Sequence, residues 1–315
     1  MRRKILEKEF KTIDEQIEIL KSRNMQIENY DNAYQILKKH NYYYLINGYK
    51  DVFINKTDEK EKYIDKVDIQ EIYSLYLFDK KLKINFLKYL LLIENEINTY
   101  ISYEFSKSYG HKNYLIFQNF NNSKKQKSTI KKFIEDINLE IKYQYKNSNK
   151  MIIHYLDNYS YVPLWVLVRI LSFGKISKFY SLMKEKDQNS ISKKYNLRTK
   201  EFKILLHNLT LIRNICAHDE KLYDVRLKNR INSNKYHKIL RIKSVKGNYI
   251  LATRDLFSIV IILKLLLSRE EFNGFYRQVL KDIINLKSNI KSVDFNLILE
   301  KMGFPRNYTK LLKIK

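Results

Sequence analysis

The sequence predicts an all-α fold, a helical bundle with a small N-terminal helical module and one short β-hairpin. Three observations carry that expectation. Six glycines and two prolines in 315 residues are too few turn residues for a many-stranded fold. Long Leu/Ile/Lys/Glu runs repeat their apolar residues at three- and four-residue steps, the spacing of one helix face. A hydrophobic content of 44% suffices for a sizeable core.

Taken in order, Thr12 to Arg23 reads as a helix opened by a capping box of Thr12 and Glu15, with Ile13, Ile17 and Leu20 inward. Asp31 to His40 is a second helix on Ala33, Ile36 and Leu37. Tyr42, Tyr43, Tyr44, Tyr49 and Phe53 then gather around Gly48 in a turn-like stretch, an aromatic cluster that serves either packing or the stacking of unpaired bases. Asn55 to Lys66 is polar and reads as a connector, dividing the chain into an N-terminal module, residues 1–60, and a main domain, 61–315. Ile69 to Phe105 is the longest periodic segment, a core helix that is either continuous or broken near its start. Glu94 ends its apolar centre; a carboxylate there either meets a cation, for which Arg213 is the candidate, or sits at a solvated rim.

Asn119 to Lys150 reads as a loop and a mobile basic helix, with KKQK at Lys124 to Lys127. Pro163 opens a helix, PLWVLVRIL, with Trp165 in the core, and Gly174 breaks it before Ile176 to Met183. From Phe202 the residues Leu205, Leu206, Leu209, Ile212 and Cys216 form one buried stripe, which makes Cys216 a small core residue rather than a reactive thiol. Lys221 to Lys246 holds nine Lys or Arg against one acid, Asp224, as a basic insertion around 221–252. Inside it ILRIKSV and YILA read as two strands about a Gly247-Asn248 turn. Helices follow at Arg254 to Leu267, Glu270 to Leu286 and Asp294 to Lys301, before the Gly303-Phe304-Pro305 break.

The stripe ending at Cys216 leaves three polar groups together. Asn214 and His218 are i,i+4 neighbours, close enough for the amide to hold one ring nitrogen and select the tautomer at the other. Arg213 adds a permanently charged fork suited to phosphate. A base and a phosphate clamp are the minimum for cutting RNA without a metal. A second pair, Arg230 and His237, lacks both the polar residue after the arginine and an apolar stripe, and is set aside. No HExxH, zinc spacing, Walker or dinucleotide motif occurs, so neither a metal nor a cofactor is expected. One cysteine excludes an intramolecular disulfide.

The net charge of +26 favours a polyanionic partner, nucleic acid ahead of an anionic membrane or of a coding bias that inflates lysine. Lys221, Arg226, Lys228, Arg230, Lys235, Lys238, Arg241 and Lys243 are the candidate RNA-binding residues. No apolar run is long enough to span a bilayer and Met1 to Phe10 lacks a signal-peptide core, so the expected location is cytoplasmic.

The Arg213-Asn214-x3-His218 pattern resembles the signature of the HEPN ribonuclease superfamily. Five segments, TIDEQIEILKSR from Thr12, NYYYLINGY from Asn41, FDKKLKINFLKYLLLIENEI from Phe78, VPLWVLVRILSFGKISKFY from Val162 and MGFPRNY from Met302, resemble the bacterial abortive-infection D/F family of Abi-like proteins, in order along nearly the whole chain. The resemblance implies a HEPN-like bundle acting as a metal-independent endoribonuclease toxin. His218 would be the base for a ribose 2′-hydroxyl, Arg213 the charge stabiliser and Asn214 the orienting amide. It also implies a homodimer with a composite site, and RNA both as substrate and as a dedicated noncoding restraint. The tyrosine that some HEPN families modify two residues after the histidine is Glu220 here. The alternative function is a non-catalytic protein that holds a small structured RNA; a third is a protein scaffold.

Overall fold

The computed structural model describes residues 9–55, 61–121 and 123–314; the expectations for Met1 to Lys8 and for the middle of the connector, 56–60, lie outside them. The first helix, α1 (Ile13–Ser22), begins at Thr12, whose hydroxyl accepts from the Glu15 N–H while the Glu15 carboxylate accepts from the Thr12 N–H. α2 (Tyr30–Lys39) starts on an Asn29 cap and buries Ala33, Ile36 and Leu37. The aromatic stretch after it is helical, not turn-like, with a wide turn at Tyr43–Asn47 and a tight one at Lys50–Val52. A helical path puts Leu45, Ile46, Tyr49 and Phe53 on one buried side. Tyr49 and Phe53 are therefore closed to a base, and only Tyr43, 72% exposed, stands clear of the protein there. The expected connector contains a strand pair, β1 (Ile54–Asn55) antiparallel to β2 (Lys62–Tyr63).

α3 (Ile69–Tyr109) runs unbroken for 41 residues, about 60 Å at 1.5 Å per residue, from an Asp68 cap to Gly110. Of the two alternatives the continuous helix is the one found, and the polar positions near its start, Asp79 and Lys83, are paired with each other inside the core. α4 (Lys127–Lys146) buries Ile130, Phe133 and Ile137, and α5 (Lys150–Tyr159) folds back on it. α6 is only Leu164–Leu167, with Pro163 as its cap; the chain then turns, and the Ser172 hydroxyl caps α7 (Phe173–Leu182). The interruption thus falls at 168–172 and Gly174 lies within the first turn of α7. Trp165 is not in the core: with Leu164, Val166 and Leu167 taking the inward positions of so short a helix, its ring stays 50% exposed.

α8 (Glu185–Ser192) leads into α9 (Thr199–Ala217), whose Phe202, Leu205, Leu206, Leu209, Ile212 and Cys216 are all buried. Burial pushes the Cys216 thiol up to about 12, which suits an inert packing residue. A short α10 (Lys235–Ile239) precedes the hairpin of β3 (Ser244–Val245) and β4 (Asn248–Tyr249). Its turn is Lys246-Gly247, one residue earlier than expected, and both residues have the positive φ (+49° and +78°) that a two-residue hairpin loop demands. Arg241 and Ala252, also at positive φ, limit the strands to two residues each. α11 (Leu256–Leu266), α12 (Arg269–Asn289) and α13 (Phe295–Lys301) complete the bundle. α3 packs along both α9 and α12, α7 lies on α9, and Leu45 and Tyr49 of the N-terminal segment share one apolar core with α3 and α9. Among the described residues no helix is long and apolar enough to cross a membrane.

The C-terminal segment closes on Asp255, which caps α11 by accepting from the N–H groups of Ala252 and Ser258. Gly303 sits against it at φ +78°, where a Cβ would fall 1.9 Å from the Asp255 carboxyl carbon. Gly303→Ala should therefore cost about 2–4 kcal/mol in urea unfolding, from backbone strain and overpacking together. Burial pushes the Asp255 carboxyl up to about 6, outweighing the amides of Ser258 and Ala252 and the charge of Arg226. Because that value lies above the unfolded one of about 3.9, the folded chain holds this proton more tightly. The group's contribution to stability is complete below about pH 4 and is lost as pH rises through about 6. Asp255→Asn should flatten the urea midpoint across that window; a profile parallel to wild type would assign the titration elsewhere.

Candidate active site

α9 ends in a tightly specified turn. His218 is the cap, its N–H bonded to the Asn214 carbonyl at 2.9 Å, and Asp219 follows in the left-handed region at φ +57°. The Glu220 N–H reaches back to the Ile215 carbonyl at 3.0 Å, the long bond that closes a helix whose next residue is left-handed. Asparagine and glycine adopt this conformation more readily than aspartate, so Asp219 needs outside support. Its carboxylate meets Lys83 at 2.7 Å and Lys80 at 3.1 Å, and its carbonyl accepts from Lys83 Nζ at 3.2 Å and from the Tyr44 hydroxyl. These lysines hold the Asp219 carboxyl below its usual range, although partial burial works the other way.

Behind this turn lies an ionic knot. Asp79 has no accessible surface and Lys83 has 3%; they stand 3.4 Å apart, one turn from each other on α3. Asp79 also accepts from the Tyr49 hydroxyl at 2.7 Å and from the N–H groups of Leu222 and Tyr223 at 3.2 and 2.6 Å. Burial pushes the Asp79 carboxyl up against the pull of Lys83, Tyr49 and the two amides. Lys83, despite its own burial, is held above the usual range by Asp219 and Asp79. The chain before α3, α3 itself and the chain after α9 are thus joined at one point, four residues before Tyr223 and one after His218.

On the facing side of α9, Arg213 Nε lies 3.3 Å from Glu94 Oε2 of α3, with 29% and 12% of the two side chains exposed. The guanidinium is oriented by the acid yet reachable. Asn214 and His218 are exposed, and among the described residues no bond joins the Asn214 amide to the His218 ring; their link is the backbone bond. The expected tautomer selection by Asn214 is therefore not made in this chain, because His218 leaves the helix as its cap. Arg213 and His218 remain about 140° apart around α9 and about 7.5 Å along it.

The eight basic candidates do not form one patch beside His218. Lys221 is tied to Asp224 at 2.8 Å. Arg226 donates to the Lys301 carbonyl, and Arg230 to Asn248 Oδ1 and the Tyr249 carbonyl, so both anchor the insertion to the fold. Lys228, Lys235, Lys238, Arg241 and Lys243 are exposed. Lys235 lines a cavity with Glu201 and Leu205, about 20–25 Å along α9 from His218. His237 is buried, its Nε2 2.9 Å from the Ala252 carbonyl and its ring stacked on Tyr249 at 4.7 Å, and burial lowers its pKa. It is a packing residue.

Sequence reasoning missed Asp79, Lys80, Lys83, Asp219, Tyr44 and Tyr49. One signal was present: an Asp and a Lys four apart, both on the apolar face of α3 between Leu75 and Phe86. Among the described residues no group of three His, Cys, Asp or Glu is arranged to hold a metal ion.

Residues 35–224 match a family model described as Abi-like protein, a span that takes in the knot, Glu94, Arg213 and His218 and stops short of Arg226. No curated protein and no solved structure matches the chain.

Removing one partner of a buried pair leaves the other charged and unpaired, so Asp79→Ala and Lys83→Met should each cost about 3–5 kcal/mol. The two together should cost clearly less than their sum, which a double-mutant cycle in urea measures. Simple additivity would mean that the two side chains are energetically independent.

Proposed function

The chain belongs to the Abi-like protein family, and on that premise we propose that it is a HEPN-type endoribonuclease of bacterial anti-phage abortive-infection defence. One observation carries the reading: Arg213, oriented by Glu94 but still reachable, precedes an exposed His218 on a turn that Lys83 and Tyr44 clamp. A histidine on a rigid turn and a held guanidinium suit a reaction whose nucleophile is the substrate's own oxygen.

In that reaction neutral His218 takes the proton of a ribose 2′-hydroxyl, and the 2′ oxygen attacks the neighbouring phosphorus. Arg213 stabilises the charge that builds on the phosphoryl oxygens, and the bond to the 5′ oxygen breaks. The products are a 2′,3′-cyclic phosphate and a 5′-hydroxyl, and DNA is no substrate because it lacks the 2′ oxygen. No step requires a metal. The leaving oxygen needs a proton from a second acid. Base and clamp of one chain lie on different sides of α9, so the second acid is supplied by His218 of another copy across a two-fold axis.

RNA is also the expected restraining partner. The side chains of Lys228, Lys238 and Lys243 are exposed, make no hydrogen bond or ion pair among the described residues, and belong to an insertion that reaches Glu201, at the other end of α9 from His218. That separation favours a second reading, in which the insertion holds a structured RNA without cutting it.

Purified protein should cut single-stranded RNA in EDTA and leave cyclic phosphate ends. His218→Ala should lower the rate by at least about 10²-fold with RNA affinity unchanged. A His218→Ala protein that cuts as wild type, or a wild type that binds RNA and never cuts it, leaves only the RNA-holding reading. For that interface, Lys228→Ala, Lys238→Ala and Lys243→Ala combined should make the slope of log K against log[salt] about two units shallower, since each single-strand phosphate contact contributes about 0.7. An unchanged slope would remove the insertion from the RNA surface.

A further inference from the structure

Trp165 is the one tryptophan of the chain, and half of its surface faces solvent although it sits in an apolar stretch. It is not alone. The His111 ring lies 5.1 Å from it, tilted by 37°, and Tyr161 lies 5.4 Å beyond His111, its hydroxyl 2.9 Å from His111 Nε2. The group is fixed from below: the Leu164 N–H donates to the His111 carbonyl at 2.9 Å, and the buried Tyr114 hydroxyl donates to the Val162 carbonyl at 2.7 Å. Three rings from two segments thus form a surface whose order is set before anything binds.

Its surroundings are cationic. Lys112 is exposed with Nζ 5.7 Å from the centre of the Tyr161 ring. Arg169, in the turn that follows α6, is exposed and donates from Nη1 to Asn95 Oδ1 at 2.8 Å. Asn95 is the neighbour of Glu94, which holds Arg213. Two guanidinium groups are therefore held by consecutive residues of α3, one belonging to Arg169, four residues after Trp165, and one at the candidate active site.

We propose that Trp165, with His111 and Tyr161, is a stacking platform for an unpaired base of single-stranded RNA, and that Arg169 guides the phosphate backbone from this platform to Arg213. The proposal rests on the RNA-acting reading above and adds the form of the RNA: a duplex keeps its base faces against one another except at its two ends, whereas a single strand offers every base. Stacking of this kind is indifferent to sequence. Water contact at an indole face is replaced by ring contact, and Arg169 and Lys112 meet the charge that arrives with it.

Because no other tryptophan is present, emission excited at the red edge of the indole band, beyond the absorption of the 26 tyrosines, reads this position alone. The experiment uses the full chain carrying His218→Ala, titrated with an oligoadenylate of about a dozen nucleotides and, separately, with a blunt RNA duplex at equal phosphate concentration. Saturable quenching by the single strand and little by the duplex is expected. Trp165→Ala should weaken single-strand binding, followed by filter retention, by about tenfold or more, with Trp165→Phe recovering most of it. The salt slope should stay as it was in both variants, since no charge is removed. Oligoadenylate retained on the filter without any change in fluorescence would overturn the platform. So would a Trp165→Ala protein of unchanged affinity and circular dichroism, or a fluorescence change that follows protein concentration in the absence of RNA, which would assign the rings to contact between copies. Since the titration involves no cleavage, quenching by an RNA that wild type never cuts would sink the nuclease reading and leave the platform standing.

Discussion

The Asp79–Lys83 pair is the constraint from which the arrangement of the site follows. Neither side chain could remain charged alone in a core that leaves one no accessible surface and the other 3%. The cost of burying them is offset only when the remaining lone pairs and protons are also met. Asp79 therefore requires the amides of Leu222 and Tyr223 and the hydroxyl of Tyr49, and Lys83 requires Asp219. Each requirement comes from a different part of the chain. The segment before α3 and the segment after α9 cannot dock loosely, because a partly satisfied ionic knot is worse than an apolar core. The left-handed Asp219, and with it the position of His218, is a consequence of satisfying this knot.

α3 does the same work at a second place with weaker means. About three turns beyond the knot, Glu94 and Asn95 point to different neighbours, one holding Arg213 and the other Arg169. A helix of 41 residues without interruption is one continuous element, and side chains set along it keep their spacing. The base, the clamp and the aromatic rings thus refer to one rigid element, although they lie on three different segments. Glu94 also limits Arg213: a guanidinium paired with a partly buried carboxylate is oriented but half neutralised until a phosphate arrives.

Much of the local architecture was legible in the residues. The stripe of α9, the capping box at Thr12 and Glu15 and the place of Cys216 on that stripe all depend on neighbours within a few positions, and all are as the patterns indicate. Trp165 shows where this reasoning fails. An indole between Leu164 and Val166 reads as core, but α6 ends after four residues and its ring never turns inward. The pattern leaves open whether α3 is continuous near its start for a related reason: a charged pair resembles a solvated gap in the pattern unless its partners are known.

The sequence by itself determined the elements, because caps, stripes and hairpin turns are settled by bonds that close within three to five residues. It also marked Arg213 and His218 as a phosphate clamp and a base beside the apolar stripe of one helix. Only the tertiary structure decided what those residues do with their surroundings. Glu94 is 119 positions from Arg213, and Lys83 is 136 from Asp219. No periodicity reports a partner at that distance; it is chosen when the burial of a whole helix leaves one charge facing another.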